Sequence, residues 1–423
     1  MRAPITRGTL GMAVLGLPLI GTFALLGACV AEPAGSVAVR ESPIINGVAS
    51  TADEDAAVWV GILASDGSPQ GSCSGVLVAE NVLLTARHCV SKTQPGGVAC
   101  SKDGKPISGG AVLSDYAAKQ LAVVLGPTMS RTTRASAFGQ QVFTTGAKTL
   151  CNNDIALVVL DRKIAGAKIA QLRLDAPPDR DETISAVGWG VSNVSRTYGR
   201  NRRANIPITT VGPISTAAGS VGPGEFQIGE GICSGDSGGP AFVTTTGAVL
   251  GVVSRGGNGA PYDPAKDPAW TECVDTADYK THNIYTRVDA FKDLILQAFE
   301  AAGAEPWLEG GPDPRKAKFG EPCDSPAACR SGLCVDVGGK SLCTSPCDDA
   351  SACPAGYVCT AVESSRICIP APAPVDPGGA PAAETTVKSG CAMDPRATNG
   401  GALALAFLAF SAFGRRVRCS RTR

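Results

Sequence analysis

The chain is poor in histidine, in net charge and in long apolar runs. Only His88 and His282 occur among 423 residues, so a reaction that needs an imidazole must use one of these two. The 38 basic and 38 acidic residues cancel, and no surface for nucleic acid or for an anionic membrane is expected. The eight cysteines of 323–368 include no Cys-x-x-Cys pair and have no histidine among them, which argues against a zinc ribbon. Residues 369–389 hold almost no bulky apolar side chain but carry Pro370, Pro372, Pro374, Pro377 and Pro381. They read as an extended linker reaching roughly 65 Å at ~3.1 Å per residue. The apolar run Ala402–Phe413 is twelve residues, short of the about 20 that a membrane helix needs.

What is abundant points elsewhere. Fifty-one glycines and thirty prolines suit a loop-rich β protein with linkers, and the length allows two or three domains. Seventeen cysteines indicate an oxidising compartment. Met1–Arg7 carries two arginines and Leu10–Ala28 is uncharged and apolar, the layout of a secretory signal. Residues 26–29, Leu-Gly-Ala-Cys, resemble a bacterial lipoprotein box with Cys29 as the lipidated residue; ordinary cleavage near Ala28 or Ala31 is the alternative.

The most informative string is Cys-Ser-Gly-Asp-Ser-Gly-Gly-Pro at 233–240. Glycines on both sides of Ser237 allow a sharp turn that exposes the hydroxyl. The N–H groups of Gly235 and Ser237 can then converge on one oxygen, the arrangement that stabilises an anionic acyl intermediate. His88 ends the run Leu-Leu-Thr-Ala-Arg-His-Cys at 83–89, beside Cys89, which can pin the backbone. Asp154 stands at the mouth of Ile-Ala-Leu-Val-Val-Leu, which reads as a buried strand. A carboxylate entering such a strand can orient an imidazole and stabilise the imidazolium.

In this order His88, Asp154 and Ser237 resemble the trypsin/chymotrypsin family of serine proteases. Ile44-Ile45-Asn46-Gly47 resembles the N-terminus released on zymogen activation, and Val187-Gly188-Trp189-Gly190 and Ile284-Tyr285-Thr286-Arg287-Val288 occur where the family has similar strings. The resemblance covers 44–303. It implies an all-β, two-lobed antiparallel barrel fold with a C-terminal helix. It makes Ser237 the nucleophile, His88 the general base and acid, and Asp154 the orienting carboxylate. Asp236 becomes the partner of the freed Ile44 ammonium. It implies disulfides Cys73–Cys89 and Cys233–Cys273, which leaves Cys100 and Cys151 to pair with each other. No metal or organic cofactor is implied.

Several positions depart from the family. Pro43 precedes Ile44, where a basic residue is usual, and Arg40 is the nearest one. Arg87 replaces a small residue. Arg255 stands where Ser254 and Gly256 normally enclose a tryptophan. Gly231, six before the nucleophile, corresponds to the base of the primary pocket, with Ile232, Ser254 and Gly256 around it and Asn283 near its floor. With no acid at Gly231 the pocket is expected to take uncharged residues, unless Glu230 swings inward.

Alternating apolar and polar residues in Ala57–Ala64 and Gly75–Leu84 predict antiparallel strands, and Phe291, Leu294, Ile295 and Phe299 predict a helix within Asp289–Ala302. Beyond a linker at 304–322, Cys323, Cys329, Cys334 and Cys343 are echoed by Cys347, Cys353, Cys359 and Cys368, a repeat too small to hold a core and so expected to be disulfide-stapled. Gly390-Cys391, the apolar run and Arg415, Arg416 and Arg418 resemble the myxobacterial C-terminal sorting tail (MYXO-CTERM-like), with Cys391 as the processing site. The domain reading is therefore a signal segment 1–28, propeptide 29–43, protease domain 44–303, linker 304–322, disulfide-rich repeats 323–368, linker 369–389 and sorting tail 390–423. The function expected is a monomeric, secreted serine endopeptidase acting on peptides and proteins. Both termini would hold it at the outer envelope of a Gram-negative bacterium. The rival is an inactive protease-like scaffold whose cysteine-rich units bind or adhere.

Overall fold

The structure is a computed structural model and describes residues 44–129, 133–190, 199–216, 219–261, 263, 265–268, 270–348, 352–362, 365–372 and 388–389. The signal segment, the propeptide with Cys29 and Pro43, and the tail with Cys391 lie outside the described residues. All described residues belong to one unit, Glu41–Arg423.

The first lobe is a closed antiparallel barrel of β1 (Ala57–Leu63), β2 (Pro69–Ala79), β3 (Val82–Thr85), β4 (Leu121–Val124), β5 (Ala137–Thr144) and β6 (Ala156–Leu160), in the order β5-β6-β3-β2-β1-β4. The segment Gly75–Leu84, read as strand, is two strands, because Glu80 and Asn81 turn the chain between β2 and β3. Its side chains are buried on both faces. The two-residue period sorts them: Leu77, Leu83, Ala156 and Val158 fill the barrel, while Val76, Val78, Val82, Leu84, Ile155 and Leu157 face a second core outside it. That second core also takes Val187, Val249 and Val252 from the other lobe, and it joins the two lobes.

The second lobe contains β7 (Thr183–Gly188), β8 (Asn201–Val211), β9 (Glu225–Ile228), β10 (Pro240–Val243), β11 (Val249–Arg255) and β12 (Asn283–Arg287), in the order β8-β7-β10-β11-β12-β9, with β9 pairing back onto β8. The two-residue strand Val48–Ala49 adds to β8. The fold is thus the two-lobed antiparallel barrel expected. Helix α1 (Lys292–Ala302) follows a 3-10 turn at Asp289–Phe291, so the α-helix begins three residues later than its apolar spacing suggested. Ile295, Ala298 and Phe299 bury its inner face in the core shared by the lobes. Among the described residues no helix is long and apolar enough to cross a membrane.

Residues 304–318, read from composition as a linker, are fastened to the protease lobes. Leu172 N–H donates to Trp307 O at 2.8 Å, and Glu309 N–H donates to Leu172 O at 3.0 Å. Trp307 packs on the first-barrel core. Arg173 binds Glu309 and Glu182, and Arg315 Nη1 donates to Ala167 O at 3.0 Å. This strap spans the connection between the lobes. A chain stopped at Ala302 loses the Trp307 packing and the Glu309 ion pair, worth about 2 kcal/mol together. It is therefore expected to melt roughly 4–8 °C below a chain stopped at Gly311, measured by differential scanning calorimetry.

Beyond the strap are two hairpins, Cys334–Val337 with Lys340–Cys343 and Tyr357–Val362 with Ser365–Pro370. Each repeat links its first cysteine to its third and its second to its fourth: Cys323–Cys334 and Cys329–Cys343, then Cys347–Cys359 and Cys353–Cys368. Phe319 meets Tyr357 edge-on, with ring centroids 4.7 Å apart.

Candidate active site

The cleft between the lobes brings together three segments far apart in sequence. His88 sits in a 3-10 turn, Arg87–Cys89, where β3 ends. Asp154 leaves a turn at Cys151–Asn153 and leads into β6. The loop 233–239 leads into β10. Disulfides fix each approach: Cys73–Cys89 beside His88, Cys100–Cys151 before Asp154, and Cys233–Cys273 beside the loop.

Asp154 is only 1 % exposed and has a donor at each oxygen. His88 N–H donates to Oδ1 at 3.0 Å; His88 Nδ1 lies 2.8 Å from Oδ2, and Ser254 Oγ donates to Oδ2 at 2.7 Å. Burial alone would raise the Asp154 carboxyl. The charge of His88 and the hydrogen bonds from His88 and Ser254 outweigh it and hold the carboxyl below its ordinary range. Burial pulls the His88 imidazole down, but the adjacent Asp154 charge raises it above its ordinary value. The His88 ring keeps one edge in solvent, with 20 % of its side chain exposed. His282 lies outside this cluster, with Nδ1 3.2 Å from Gln227.

Ser237 is carried to the His88 side by contacts of its backbone. Ser74 N–H donates to Ser237 O at 2.8 Å, and Cys89 Sγ lies 3.5 Å from the same carbonyl. Ser74 Oγ donates to Gly235 O at 3.0 Å and accepts Trp189 N–H at 2.9 Å. Sequence reasoning missed Ser74, and its position next to Cys73 was the available signal. Within the loop the N–H groups of Asp236, Gly238 and Gly239 are taken by Cys233 O, Val253 O and Asp236 O. Among the described residues those of Gly235 and Ser237 have no partner.

Asp236 points the other way and is fully buried. Its carboxylate accepts Gly190 N–H at 2.8 Å and Cys233 N–H at 2.9 Å. Burial pushes it up to about 7 despite those two bonds. Gly188 and Gly190 are obligatory here, since a Cβ on either would stand 2.2 or 2.6 Å from the carboxylate. The Ile44 side chain is buried in the same lobe among Ile206, Ile228 and Tyr285.

Beside Ser237 lies a cavity of about 110 Å³ lined in part by Ile232, Ser254, Gly256 and Asn283. Gly231 is not among its lining residues; it is buried against Ile206 and Ile228. Asn283 fills the floor. Its Nδ2 donates to Gly229 O at 2.8 Å, and its Oδ1 lies so near Gly256 that a Cβ there would come within 1.9 Å. Glu230 is held outside the cavity by Asn46, Arg203 and the Asp275 N–H. Arg87 is accommodated beside His88 by an ion pair with Asp115 at 2.7 Å. The cysteine groups close enough to share a metal, such as Cys73 and Cys89 with His88, are taken up by disulfides.

Two antiparallel barrels with a histidine–aspartate pair and a glycine-flanked serine at their junction define a serine-protease-like hydrolase scaffold. The pattern of the Trypsin family matches residues 44–295, and the chain belongs to that family. It is 26 % identical to a trypsin of Saccharopolyspora erythraea over 259 residues, 59 % of this chain and 95 % of that protein. It is 26 % identical to a trypsin of Phaedon cochleariae over 245 residues, 54 % of this chain and 79 % of that one. It is also 27 % identical to the thrombin-like enzyme elegaxobin-1 of Protobothrops elegans over 233 residues, 52 % of this chain and 88 % of that one.

Proposed function

We propose that the chain is a secreted serine endopeptidase, made as a zymogen and held at the cell surface. The observation that carries the catalytic part is the saturated Asp154 carboxylate on His88, set beside a serine loop with two unpartnered N–H groups. Ser237 Oγ attacks a peptide carbonyl while His88 Nε2 takes its proton. The buried Asp154 stabilises the imidazolium, and the oxyanion sits on the N–H groups of Gly235 and Ser237. His88 then gives the proton to the leaving amine, and water, deprotonated by the same imidazole, clears the acyl-enzyme. A fluorophosphonate probe on the processed protein should label Ser237, and a protein that resists the probe would leave the scaffold reading standing. The disulfides suit an oxidising compartment. Fractionation of producing cells tests the placement at the surface.

The small cavity refines the substrate. A Lys or Arg side chain would meet the Asn283 amide at the floor and the Arg255 cation on the wall, which Glu272 shares, so its charge would be poorly compensated. Small uncharged residues are therefore expected before the scissile bond. In a peptide-library profile, cleavage after Lys or Arg should fall below that after Ala, Ser or Thr by about tenfold or more. A profile dominated by Arg would overturn this and implicate Glu272 in the cavity wall, or Glu230 released from its partners.

A further inference from the structure

Behind the Asp154 carboxylate lies a second buried carboxylate that the reaction does not use. Glu225 opens β9 and is 0 % exposed. Arg255 grips it with two prongs, Nη1 to Oε1 at 2.7 Å and Nη2 to Oε2 at 2.8 Å. The same oxygens accept the N–H groups of Asn152 at 3.1 Å and Gly222 at 2.8 Å. Asn152 precedes Asp154 by two residues, has a left-handed backbone with φ 59°, and accepts Gly224 N–H through its own side chain. On the other side, Arg255 Nη1 stands 3.4 Å from Ser254 Oγ, the hydroxyl that donates to Asp154. The turn that carries Asp154 and the hydroxyl that bonds it are thus tied to one buried ion pair.

Such a pair is poorly suited to adding stability, because desolvating two charges offsets most of their attraction. Its geometry is better suited to placing groups, since a guanidinium fork fixes a carboxylate in direction as well as distance. Few other charges face it. Asp154 and His88 lie beyond Ser254, and Glu272 shares the cavity wall with Arg255. Arg287 bonds Pro223 O and is itself paired with Asp289. Arg87, next to His88 in the chain, is paired with Asp115, and Asp236, next to Ser237, is bonded by the Gly190 and Cys233 N–H groups.

We propose that Arg255 and Glu225 are positioning residues for the triad, a charge-balanced strut that sets Asp154 and, through it, His88. The proposal rests on the protease reading above. With both charges present their fields at Asp154 oppose each other. Removing Glu225 alone leaves the Arg255 cation two hydrogen bonds from Asp154, and that disfavours the imidazolium.

Three variants of the processed protein test this: Glu225→Gln, Arg255→Lys and the double Glu225→Gln/Arg255→Met. Two readouts apply, hydrolysis of a small ester and the His88 titration by NMR. The second needs no turnover, and His282→Asn assigns the other imidazole. Glu225→Gln should lower the His88 midpoint by about 0.5–1 pH unit and lower kcat about 10–100-fold at nearly constant KM. The double variant should restore the midpoint yet keep the low kcat, since charge balance returns and the fork does not. Arg255→Lys should keep the midpoint and lose kcat. If Glu225→Gln fails to fold, the other two still decide, because neither buries a lone carboxylate without a cation. Wild-type kcat in both, or an unmoved midpoint in a folded Glu225→Gln protein, overturns the strut. A wild-type protein without hydrolysis would sink the protease reading instead, and the NMR titration would still report on the strut.

Discussion

Ser237→Ala should lower turnover by about 10⁴–10⁶-fold while leaving the melting temperature within a degree or two of wild type. The loss is large because the hydroxyl forms the covalent bond to the acyl group, and neither Gly235 nor His88 can replace it. The fold should be indifferent because the contacts that hold the loop run through backbone atoms: Ser237 O accepts Ser74 N–H, and Gly238 N–H donates to Val253 O. Casein digestion and hydrolysis of a small ester measure the rate, and calorimetry measures the fold. A variant that cleaves either substrate at near wild-type rate ends the triad assignment. A variant that unfolds would show instead that the hydroxyl has a structural partner.

The second expected result concerns Asp236. In the uncut chain burial pushes this carboxyl up to about 7, and among the described residues no cationic side chain pairs with it. Ile44 meanwhile is held at φ 63°, a left-handed conformation that a β-branched residue rarely adopts and that costs on the order of 1–3 kcal/mol. Cutting before Ile44 removes both penalties, because a terminal residue has no φ and its new ammonium can neutralise Asp236. Asp236→Asn should therefore leave the processed protein at about a hundredth of wild-type activity or less, the scale of losing a donor to the oxyanion. Edman sequencing should find Ile44 at the head of the active species. An active species retaining 30–43 would refute this. The pH behaviour of the two forms differs in sign. In the cut form the proposed pair would depress the carboxyl and raise the amine, so activity should disappear at alkaline pH as the ammonium loses its proton. In the uncut form the carboxyl is raised, so its contribution to stability is present below about pH 4 and is lost as the pH climbs toward 7.

The three segments that meet at the cleft were legible because each carries a local peculiarity: glycines crowding a serine, a histidine abutting a cysteine, an aspartate at the mouth of an apolar strand. The supports behind them were not. Glu225 is 73 residues from Asn152 and Ser74 is 161 from Gly235, and an ordinary glutamate or serine announces no such partner. The pocket was legible only in part. Asn283 and Gly256 line it in contact with each other, whereas Gly231, placed by its distance from Ser237, is buried against Ile206 and Ile228. Proline and glycine made 304–322 look slack. Its anchors are backbone bonds at Leu172, one indole, one carboxylate and the Arg315 guanidinium, and composition cannot register any of them. Arg87 and Arg255, departures on paper, each have a carboxylate waiting, Asp115 and Glu225.

The strap also fixes a direction. It and the first disulfide repeat gather at the Glu80–Asn81 turn, where Arg315, Lys316 and Arg330 border the same cleft as that turn. His88 lies at the opposite end of β3, roughly 13 Å of strand away. A load applied to the repeats is therefore taken up behind the barrel, through Arg315 on Ala167 and Glu309 on Arg173, and bypasses the segments that bear His88, Asp154 and Ser237. A pull on the repeats from that side thus leaves the cleft its shape.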